Sequence, residues 1–373
     1  MAPEVSLATT APRRTFAHFP WPLALIVLSI CALGIWNLAS ASRSAHAPVW
    51  IAQAWWMGGG VLVALVVLAF DHRRFQRISW VFYGVVIVLL LLVFVKGRTV
   101  MGARRWIGVG PVNIQPSELA KLAVLMALSS WFHWDSERRK EPMGLLGIAV
   151  PLAITFLPAV LILKQPDLGT ALIVVAIGCT MLLFARVRWR TLAVLGGVAL
   201  GGALLAYPNL KPYQKKRVET FLNPEGDALG AGYHAMQSKI AVGSGQGLGK
   251  GWAQGTQSYL SFLPEQHTDF IFSVWAEEHG FAGCLLLLLL YFGLIAVAVD
   301  IAGNARDRFG HFLAVGVTAM LFWQTVINIG MVTGVLPVVG VTLPLMSYGG
   351  SSVIAIFVGI GLLANVGMRR FVN

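Results

Sequence analysis

The chain has 373 residues, of which 57% are hydrophobic and only 12% are charged, and its formal net charge is +12. So few charges cannot cover the surface of an ordinary soluble domain, and the composition predicts an integral membrane protein. The Lys and Arg residues form short clusters between apolar runs, where membrane topology places them, which argues against nucleic acid as a partner.

Ten apolar runs approach the roughly 20 residues that a helix needs to cross the hydrocarbon core. We therefore predict an all-α integral membrane protein with about ten transmembrane helices. Basic clusters lie on alternate connections, so the positive-inside rule places both termini in the cytoplasm. The predicted parts are a cytoplasmic tail (1–20) and a polytopic domain (21–373) with one long extracytoplasmic loop (207–269). The runs are approximately 21–40, 50–70, 78–95, 117–134, 143–163, 168–185, 190–207, 270–300, 311–335 and 349–368.

Charged side chains surround the start of the fourth run, in GARRWIGVGPVNIQPSELAKL. Glu118 follows Pro116 as in a helix's first turn, where the helix dipole favours a carboxylate. Lys121 follows three residues later on the same face and can pair with Glu118. The alternative is that Glu118 only caps the helix and Lys121 only snorkels to the membrane surface. A charged side chain within a span costs at least about 2.5 kcal/mol, which favours a functional role for the two residues. Arg104 and Arg105 lie on the side that the positive-inside rule disfavours, which predicts a task for them.

The next extracytoplasmic connection, LKQPDLGTA, places Lys164 and Asp167 at the membrane edge. A Pro-Asp helix start is the simpler explanation of Asp167 when this connection is taken alone.

The predicted loop 207–269 is far longer than most connections, and such loops tend to be functional. Its segment PYQKKRVETFLNP has apolar residues at helical spacing opposite a basic face, as in an interfacial helix. The glycine-dense stretch GSGQGLGKGWAQGTQ favours close backbone approach to a ligand, tight turns or a flexible loop. The sequence leaves these alternatives open.

The loop ends in SFLPEQHTDFIF, where Asp269 precedes a long apolar run. Desolvation at this boundary would raise the pKa of the carboxyl group and nearby cations would lower it, and either state could equip it as a base. His267 could form a metal site with His234 or Glu265, although no zinc or iron ligand spacing is present. A divalent cation such as Mg²⁺ or Mn²⁺ is therefore an open alternative with no assigned ligands.

The predicted topology brings all three polar places to one membrane face. Independent helix caps would not predict carboxylates and a lysine together there, so we expect them to converge in an outward-facing cavity.

Several motifs, in the same order along the chain, closely resemble the SEDS family (shape, elongation, division and sporulation). They are RRWIGVGPVNIQPSELAKL, KQPDLGTAL, the segment from RVETFLNP to WAEEHG, and NIGMVTGVLPVVGVTLPLMSYGGSS. Sequence motifs such as GKGWAQGTQS resemble the RodA branch of the family more than the FtsW branch. The RodA branch acts in elongation. The chain departs from the family at Gln246, where glycine is commoner, and in the turn 338–342.

The resemblance implies a glycosyltransferase that polymerises lipid II into peptidoglycan strands outside the bacterial cytoplasmic membrane. It also implies a class B penicillin-binding protein, a transpeptidase, as partner. The family's essential aspartate falls on Asp269, and other sensitive positions fall on Glu118, Lys121 and Asp167. The transfer inverts the anomeric carbon, so the attacking sugar hydroxyl needs a positioned base, for which Asp269 is the candidate.

The leaving pyrophosphate requires positive charge from side chains or a metal. SYGGSS, before the last run, could hold a phosphate at a helix start or form a packing turn. The predicted catalytic residues are Asp269, Glu118 and Lys121, and the predicted substrate-binding residues are Asp167, Lys164, Arg104, Arg105, Lys239, His267 and Ser351.

Two other function classes fit ten helices with internal charges. One is a lipid II flippase or transporter, and the other is a scaffold for the transpeptidase. No inverted repeat is evident between the two halves and the motifs gather on one face, which favours an enzyme.

Overall fold

The computed structural model describes residues 18–43, 48–100, 103–110, 112–138, 141–206, 208, 212–223, 226, 231–259, 262 and 265–370. Most of the predicted tail 1–20 and parts of the predicted loop 207–269 lie outside these residues. Within them the helices are α1 (Trp21–Ala41), α2 (Val49–Ala69), α3 (His72–Lys96), α4 (Pro116–Arg138), α5 (Ala149–Lys164), α6 (Leu168–Phe184), α7 (Trp189–Ala206), α8 (Pro212–Leu222), α9 (Ala231–Ser244), α10 (Thr256–Tyr259), α11 (Ile271–Gly303), α12 (Arg308–Thr333) and α13 (Gly350–Met368).

Each predicted apolar run coincides with one helix, and α8 to α10 lie in the long connection between α7 and α11. Among the described helices, α1, α2, α3, α11, α12 and α13 are long and apolar enough to cross a membrane, while α5 and α6 are apolar but shorter. The prediction of a helical integral membrane protein is confirmed. The count of about ten spans stays a prediction.

A small antiparallel sheet between α3 and α4 is the departure from an all-helical chain. Its strands are β1 (Arg98–Val100), β2 (Ala103–Val109) and β3 (Val112–Ile114), in the order β1-β2-β3. The Trp, Ile and Val residues of this segment favour extended structure. Gly110, with φ of 61°, follows β2 at the turn, where a left-handed backbone suits glycine. The sheet carries Arg104 and Arg105 beside the first turn of α4.

Polar contacts between connections mark one end of the bundle, called the Asp269 end below. Ser117 at the start of α4 donates to Asp167 at the start of α6, with 3.1 Å between the oxygens. Gln53 in α2 donates through its Nε2 atom to the Ser347 carbonyl before α13, at 2.8 Å. The connections predicted to be extracytoplasmic therefore meet at one end.

The opposite end, called the Asp307 end, joins the start of α3 to the start of α12 and the end of α13. His72 Nε2 lies 2.9 Å from Asp307 Oδ2, and Arg369 Nη1 lies 3.1 Å from Asp71 Oδ2. The basic connections 185–190 and 304–308 also flank a cavity of about 390 Å³ at this end. The alternation of basic and other connections predicted from the sequence therefore corresponds to two ends of one bundle.

Candidate active site

The backbone around Asp269 is fixed by three successive carbonyl groups. The His267 carbonyl accepts from the Tyr348 amide at 2.9 Å, and the Thr268 carbonyl accepts from Ser347 Oγ at 2.6 Å. The Asp269 carbonyl accepts from Asn328 Nδ2, 2.9 Å away in α12. Residues before α13 and a buried amide of α12 therefore hold Asp269 from two sides, so its backbone is preorganised.

The Asp269 side chain is half-buried just before α11. Burial is the main reason that its pKa rises to about 6, and the negative charges of Glu265 and Asp167 raise it further. The guanidinium groups of Arg105 and Arg217 oppose the rise. A carboxyl group with this pKa is mainly ionised at neutral pH and retains appreciable basicity, as a general base requires.

Asp167 is buried and has a structural role of its own at the start of α6. Its Oδ1 atom caps the helix by accepting from the Thr170 amide at 3.3 Å. Its Oδ2 atom accepts from Gln115 Nε2 and Ser117 Oγ, each at 3.1 Å. The simple cap expected from the sequence is present, and the same carboxylate also binds the start of α4.

The turn 338–342 lies between the Asp167 region and Asp269. A Cβ atom on Gly169 would lie 2.8 Å from the Val339 carbonyl oxygen, so α6 packs closely on this turn. A Cβ atom on Gly340, whose φ is 74°, would lie 3.2 Å from Asp269 Oδ2. Only the backbone of this turn therefore separates the start of α6 from Asp269. This short separation explains how the charge of Asp167 raises the pKa of Asp269.

Glu118 and Lys121 form the predicted ion pair, with 2.8 Å between Oε2 and Nζ. Lys121 is completely buried and Glu118 is 6% exposed. Apart from this contact, neither charged atom has a hydrogen-bond partner among the described residues. The expectation that Lys121 faces an open cavity is wrong for this conformation, because the side chain is enclosed beside Glu118. Glu118 directly follows Ser117, which binds Asp167, and Lys121 lies one helical turn further along α4.

Cationic groups at the Asp269 end come from three elements. Arg105 in β2 donates to the Gln165 carbonyl at 3.2 Å and also to the Pro166 carbonyl, which ties the sheet to the α5–α6 connection. Arg217 in α8 donates to the Val339 carbonyl at 3.4 Å. Arg217 and Lys239 line a small cavity between α8, α9 and the end of α12. The cations near Asp269 are thus partly different from those predicted.

Four further candidates have differing surroundings. Lys164 and Arg104 are exposed side chains at the Asp269 end. The ring of His267 lies 6.2 Å from that of Tyr348, measured between centroids. Ser351 accepts from the Gln115 amide at 3.2 Å and donates to the Asn113 carbonyl at 3.2 Å. SYGGSS therefore packs against residues 113–115, while phosphate binding at this helix start and a direct contact of Ser351 with substrate stay predictions.

The glycine-dense stretch has a definite position against α11. Gly280 interrupts that helix with φ of 61° and ψ of −160°, which leaves a segment 271–279 behind Asp269. The carbonyls of residues 277 and 278 accept instead from the amides of Lys250 and Gly251, each at 3.0 Å. The amides of residues 281 and 282 donate to the carbonyls of Gln246 and Gly247, at 2.8 and 3.0 Å. The stretch 245–251, called the glycine loop below, therefore supplies the partners that the break removes.

A divalent cation was the open alternative for stabilising the pyrophosphate. Among the described residues, no group of three or more His, Cys, Asp and Glu side chains is arranged to hold a metal ion. His234 instead lies beside Phe270, with 6.4 Å between the ring centroids. Among the described residues, the surroundings of Asp269 therefore contain no set of three such metal ligands.

Sequence reasoning missed Arg217, Asn328 and Gln115. The apolar run of α12 contains Asn328, which was a detectable signal because a polar group within a span is costly unless it is bound. Arg217 was treated only as part of a basic face. Its proximity to Asp269 depends on long-range packing of α8, which periodicity does not reveal.

Comparisons with known proteins agree with this architecture. The FtsW, RodA and SpoVE family model, described as cell cycle protein, matches residues 18–371. The peptidoglycan glycosyltransferase MrdB of Escherichia coli K12 is 42% identical over 351 residues, covering 93% of this chain and 92% of MrdB.

Two solved structures extend the likeness to the fold. A chain from a study of structural coordination of polymerization and crosslinking by a peptidoglycan synthase complex has a TM-score of 0.82 and 36% identity, covering 95% of this chain and 99% of that chain. The crystal structure of Thermus thermophilus RodA, a rod shape determining protein, has a TM-score of 0.70 and 33% identity, covering 95% and 98%. The chain belongs to the FtsW, RodA and SpoVE family of cell cycle proteins.

Proposed function

We propose that this protein is a peptidoglycan glycosyltransferase that polymerises lipid II during cell elongation, with Asp269 as its general base. The observation that carries this assignment is a half-buried carboxylate on a rigid backbone, next to cations, in a chain whose 42%-identical relative is named a peptidoglycan glycosyltransferase. The proposed location is the bacterial cytoplasmic membrane, with the Asp269 end on the outer face. The basic Asp307 end then lies in the cytoplasm.

In the proposed reaction, the 4-hydroxyl of an acceptor N-acetylglucosamine attacks C1 of the N-acetylmuramic acid on lipid II. The bond between C1 and the pyrophosphate oxygen breaks as the new glycosidic bond forms, and the configuration at C1 inverts. Asp269 accepts the hydroxyl proton, since a sugar hydroxyl is too weakly acidic to attack efficiently without a base. The raised pKa makes Asp269 a stronger proton acceptor than an ordinary aspartate.

The pyrophosphate leaves as an anion and is stabilised by nearby positive charge. We assign this role to Arg105, Arg217 and Lys239, because the charges of Arg105 and Arg217 act on Asp269 and Lys239 lines a cavity together with Arg217. Arg104 and Lys164, which are exposed at the same end, would contact the lipid-linked substrate as it approaches.

Glu118 and Lys121 are assigned an indirect role. Their buried pair fixes the first turn of α4, from which Ser117 holds Asp167. Asp167 in turn influences Asp269 across the turn 338–342. Both members of the pair are therefore positioning residues in this proposal.

The proposed partner is a class B penicillin-binding protein that crosslinks the new strands. The first solved structure above is described as a synthase complex for polymerization and crosslinking, which supports a partner of this kind. The partner would bind this protein and crosslink the strands, while Asp269 of this chain would supply the base.

The test is polymerisation of labelled lipid II by the purified protein, with and without its transpeptidase. We expect glycan polymer from the complex and at most slow transfer of lipid II across liposome bilayers. Lipid II transfer without polymer would contradict the proposal and identify a flippase. Parallel reactions with EDTA, Mg²⁺ or Mn²⁺ measure the dependence on a divalent cation.

A further inference from the structure

We propose that Lys250 of the glycine loop is a positioning residue for Asp269, acting through its ion pair with Glu277 just before the break in α11. This inference rests on the proposed glycosyltransferase function. It assigns a task to two charged residues that the mechanism above does not use.

Glu277 is a buried carboxylate that needs compensation. It is completely buried, and its Oε1 atom lies 2.6 Å from Lys250 Nζ. The same oxygen accepts from Thr256 Oγ1 and the Gln257 amide, each at 3.1 Å. A buried carboxylate without such donors is strongly unfavourable, so Lys250 is the charged partner that allows Glu277 to remain in place.

Lys250 contacts Glu277 at two points. Besides the ion pair, its amide donates to the Glu277 carbonyl at 3.0 Å. The side chain of Lys250 also donates to Thr256 Oγ1 at 2.9 Å. Two contacts from one residue fix both the position and the rotation of the helix segment at Glu277.

The segment that Glu277 belongs to is short and broken at both ends. It runs from Ile271 to residue 279, and Gly280 separates it from the rest of α11. A helix of this length is marginal without tertiary support. Asp269 is held by the contacts of residues 267–269 at one end of the segment, and Lys250 holds the other end.

This geometry makes the orientation of Asp269 sensitive to Lys250. Loss of the pair would leave a buried charge on Glu277 and allow the segment to turn about Gly280. A displacement of about 1 Å at a catalytic group can lower a rate about 100-fold. The expected defect is in kcat, since Lys250 lies away from the proposed substrate contacts.

The experiment compares polymerisation kinetics of the transpeptidase complex carrying native protein, Lys250→Met, Glu277→Gln or both substitutions. Lys250→Met should lower kcat at least about tenfold with KM for lipid II changed less than about threefold. Glu277→Gln keeps an acceptor oxygen for Thr256 and Gln257, so the double variant should recover most of the lost kcat. Lys96→Met, an exposed lysine at the same end of the bundle, is the matched control and should match native protein.

Amide hydrogen exchange of segment 271–282 provides a readout that does not require activity. Lys250→Met should increase exchange there, and the double variant should restore protection. Native kcat in a folded Lys250→Met complex, or unchanged exchange in this segment, would overturn the inference. If Lys250→Met does not fold, Lys250→Gln, which keeps a hydrogen-bond donor but removes the charge, serves instead, and native kcat in that variant would also overturn it. A native complex that makes no polymer would contradict the proposed function, while the exchange result would still decide the role of Lys250.

Discussion

At the scale of single residues, the environment of Asp269 has a measurable thermodynamic effect. Burial raises its pKa to about 6, with further contributions from Glu265 and Asp167. A carboxyl group whose native pKa is raised costs stability once pH exceeds its unfolded pKa of about 4, and the cost is complete above about pH 6.

Asp269→Asn removes this charge and should therefore stabilise the protein at pH 8 but not at pH 4. The rise of the Asp269 pKa from its ordinary value to about 6 corresponds to about 1–2 kcal/mol after allowance for solvent screening. Melting temperatures of both proteins in detergent at the two pH values measure the difference. An equal difference at both pH values would contradict the raised pKa.

Gln246 shows how a departure from the family pattern acquires a physical meaning. Its φ is 47°, a left-handed conformation that costs a residue with a side chain about 1–2 kcal/mol. Gln246→Gly should raise stability by up to about 1 kcal/mol, because the relief of strain exceeds the entropy lost by glycine. Gln254→Gly, in the same connection without a positive φ, should lower stability in the same thermal measurement. A loss of stability in Gln246→Gly would contradict this explanation.

At the scale of elements, the glycine loop repairs the broken hydrogen-bond ladder of α11. Gly249 has φ of 82°, and a Cβ atom on it would lie 2.1 Å from the Glu278 carbonyl oxygen. A Cβ atom on Gly247 would meet nothing within 4 Å. The two glycines therefore form a matched pair of sites within one loop.

Gly249→Ala should cost more than about 2 kcal/mol and reduce polymerase activity, because strain and overlap add at this position. Gly247→Ala should change stability by less than about 0.5 kcal/mol. Thermal unfolding and lipid II polymerisation of both variants test this contrast. Equal effects would show that the loop does not approach α11 as described.

The sequence pattern identified the helices, but not the contacts of this loop. Twenty apolar residues are a strong signal for a helix in lipid, which explains the agreement for the long runs. Glycine content predicts backbone freedom without naming the surface that the backbone approaches. The break at Gly280 was missed because a single glycine within a helical run is tolerated and the apolar run resumes directly after it.

Buried amides in the spans show a similar limit. Asn37 donates to the Ile271 carbonyl at 3.0 Å, and Asn365 donates to the Val67 carbonyl at 2.9 Å. Polar residues in apolar runs are detectable and imply that a partner exists. The identity of the partner, more than 200 residues away, depends on tertiary packing.

At the scale of the whole molecule, charged networks join helices at the end opposite Asp269. Burial acts to raise the pKa of Asp307, but hydrogen bonds from His72 and the Gly310 amide, with the charge of Arg73, lower it to about 2. A depressed carboxyl pKa contributes stability that is fully present above about pH 4 and is lost as pH falls towards 2.

Asp307→Asn should therefore lower stability at pH 7 by up to about 2 kcal/mol, with a smaller penalty at pH 3. Polymerase activity per folded molecule should stay within about twofold, since Asp307 lies at the opposite end from Asp269. Asp300→Asn is the control, because that pair with Arg370 is exposed and worth at most about 1 kcal/mol. A penalty that does not depend on pH would contradict the proposed electrostatic cause.

The two-ended arrangement of the molecule followed from counting spans and placing basic connections. The convergence of Asp167 and Asp269 was also expected, and both carboxylates do lie close enough to interact. The enclosure of Lys121 was not expected, because sequence spacing reveals a pair but not the packing of neighbouring helices around it. The small sheet was missed because three short strands leave little periodicity to detect.

The central claim is that Asp269 is the base for glycosyl transfer. The most direct test compares lipid II polymerisation by the transpeptidase complex of native protein and of Asp269→Asn, with folding and partner binding verified. We predict glycan polymer from the native complex and a loss of at least about 100-fold in the variant. Equal polymer from both complexes would contradict the account.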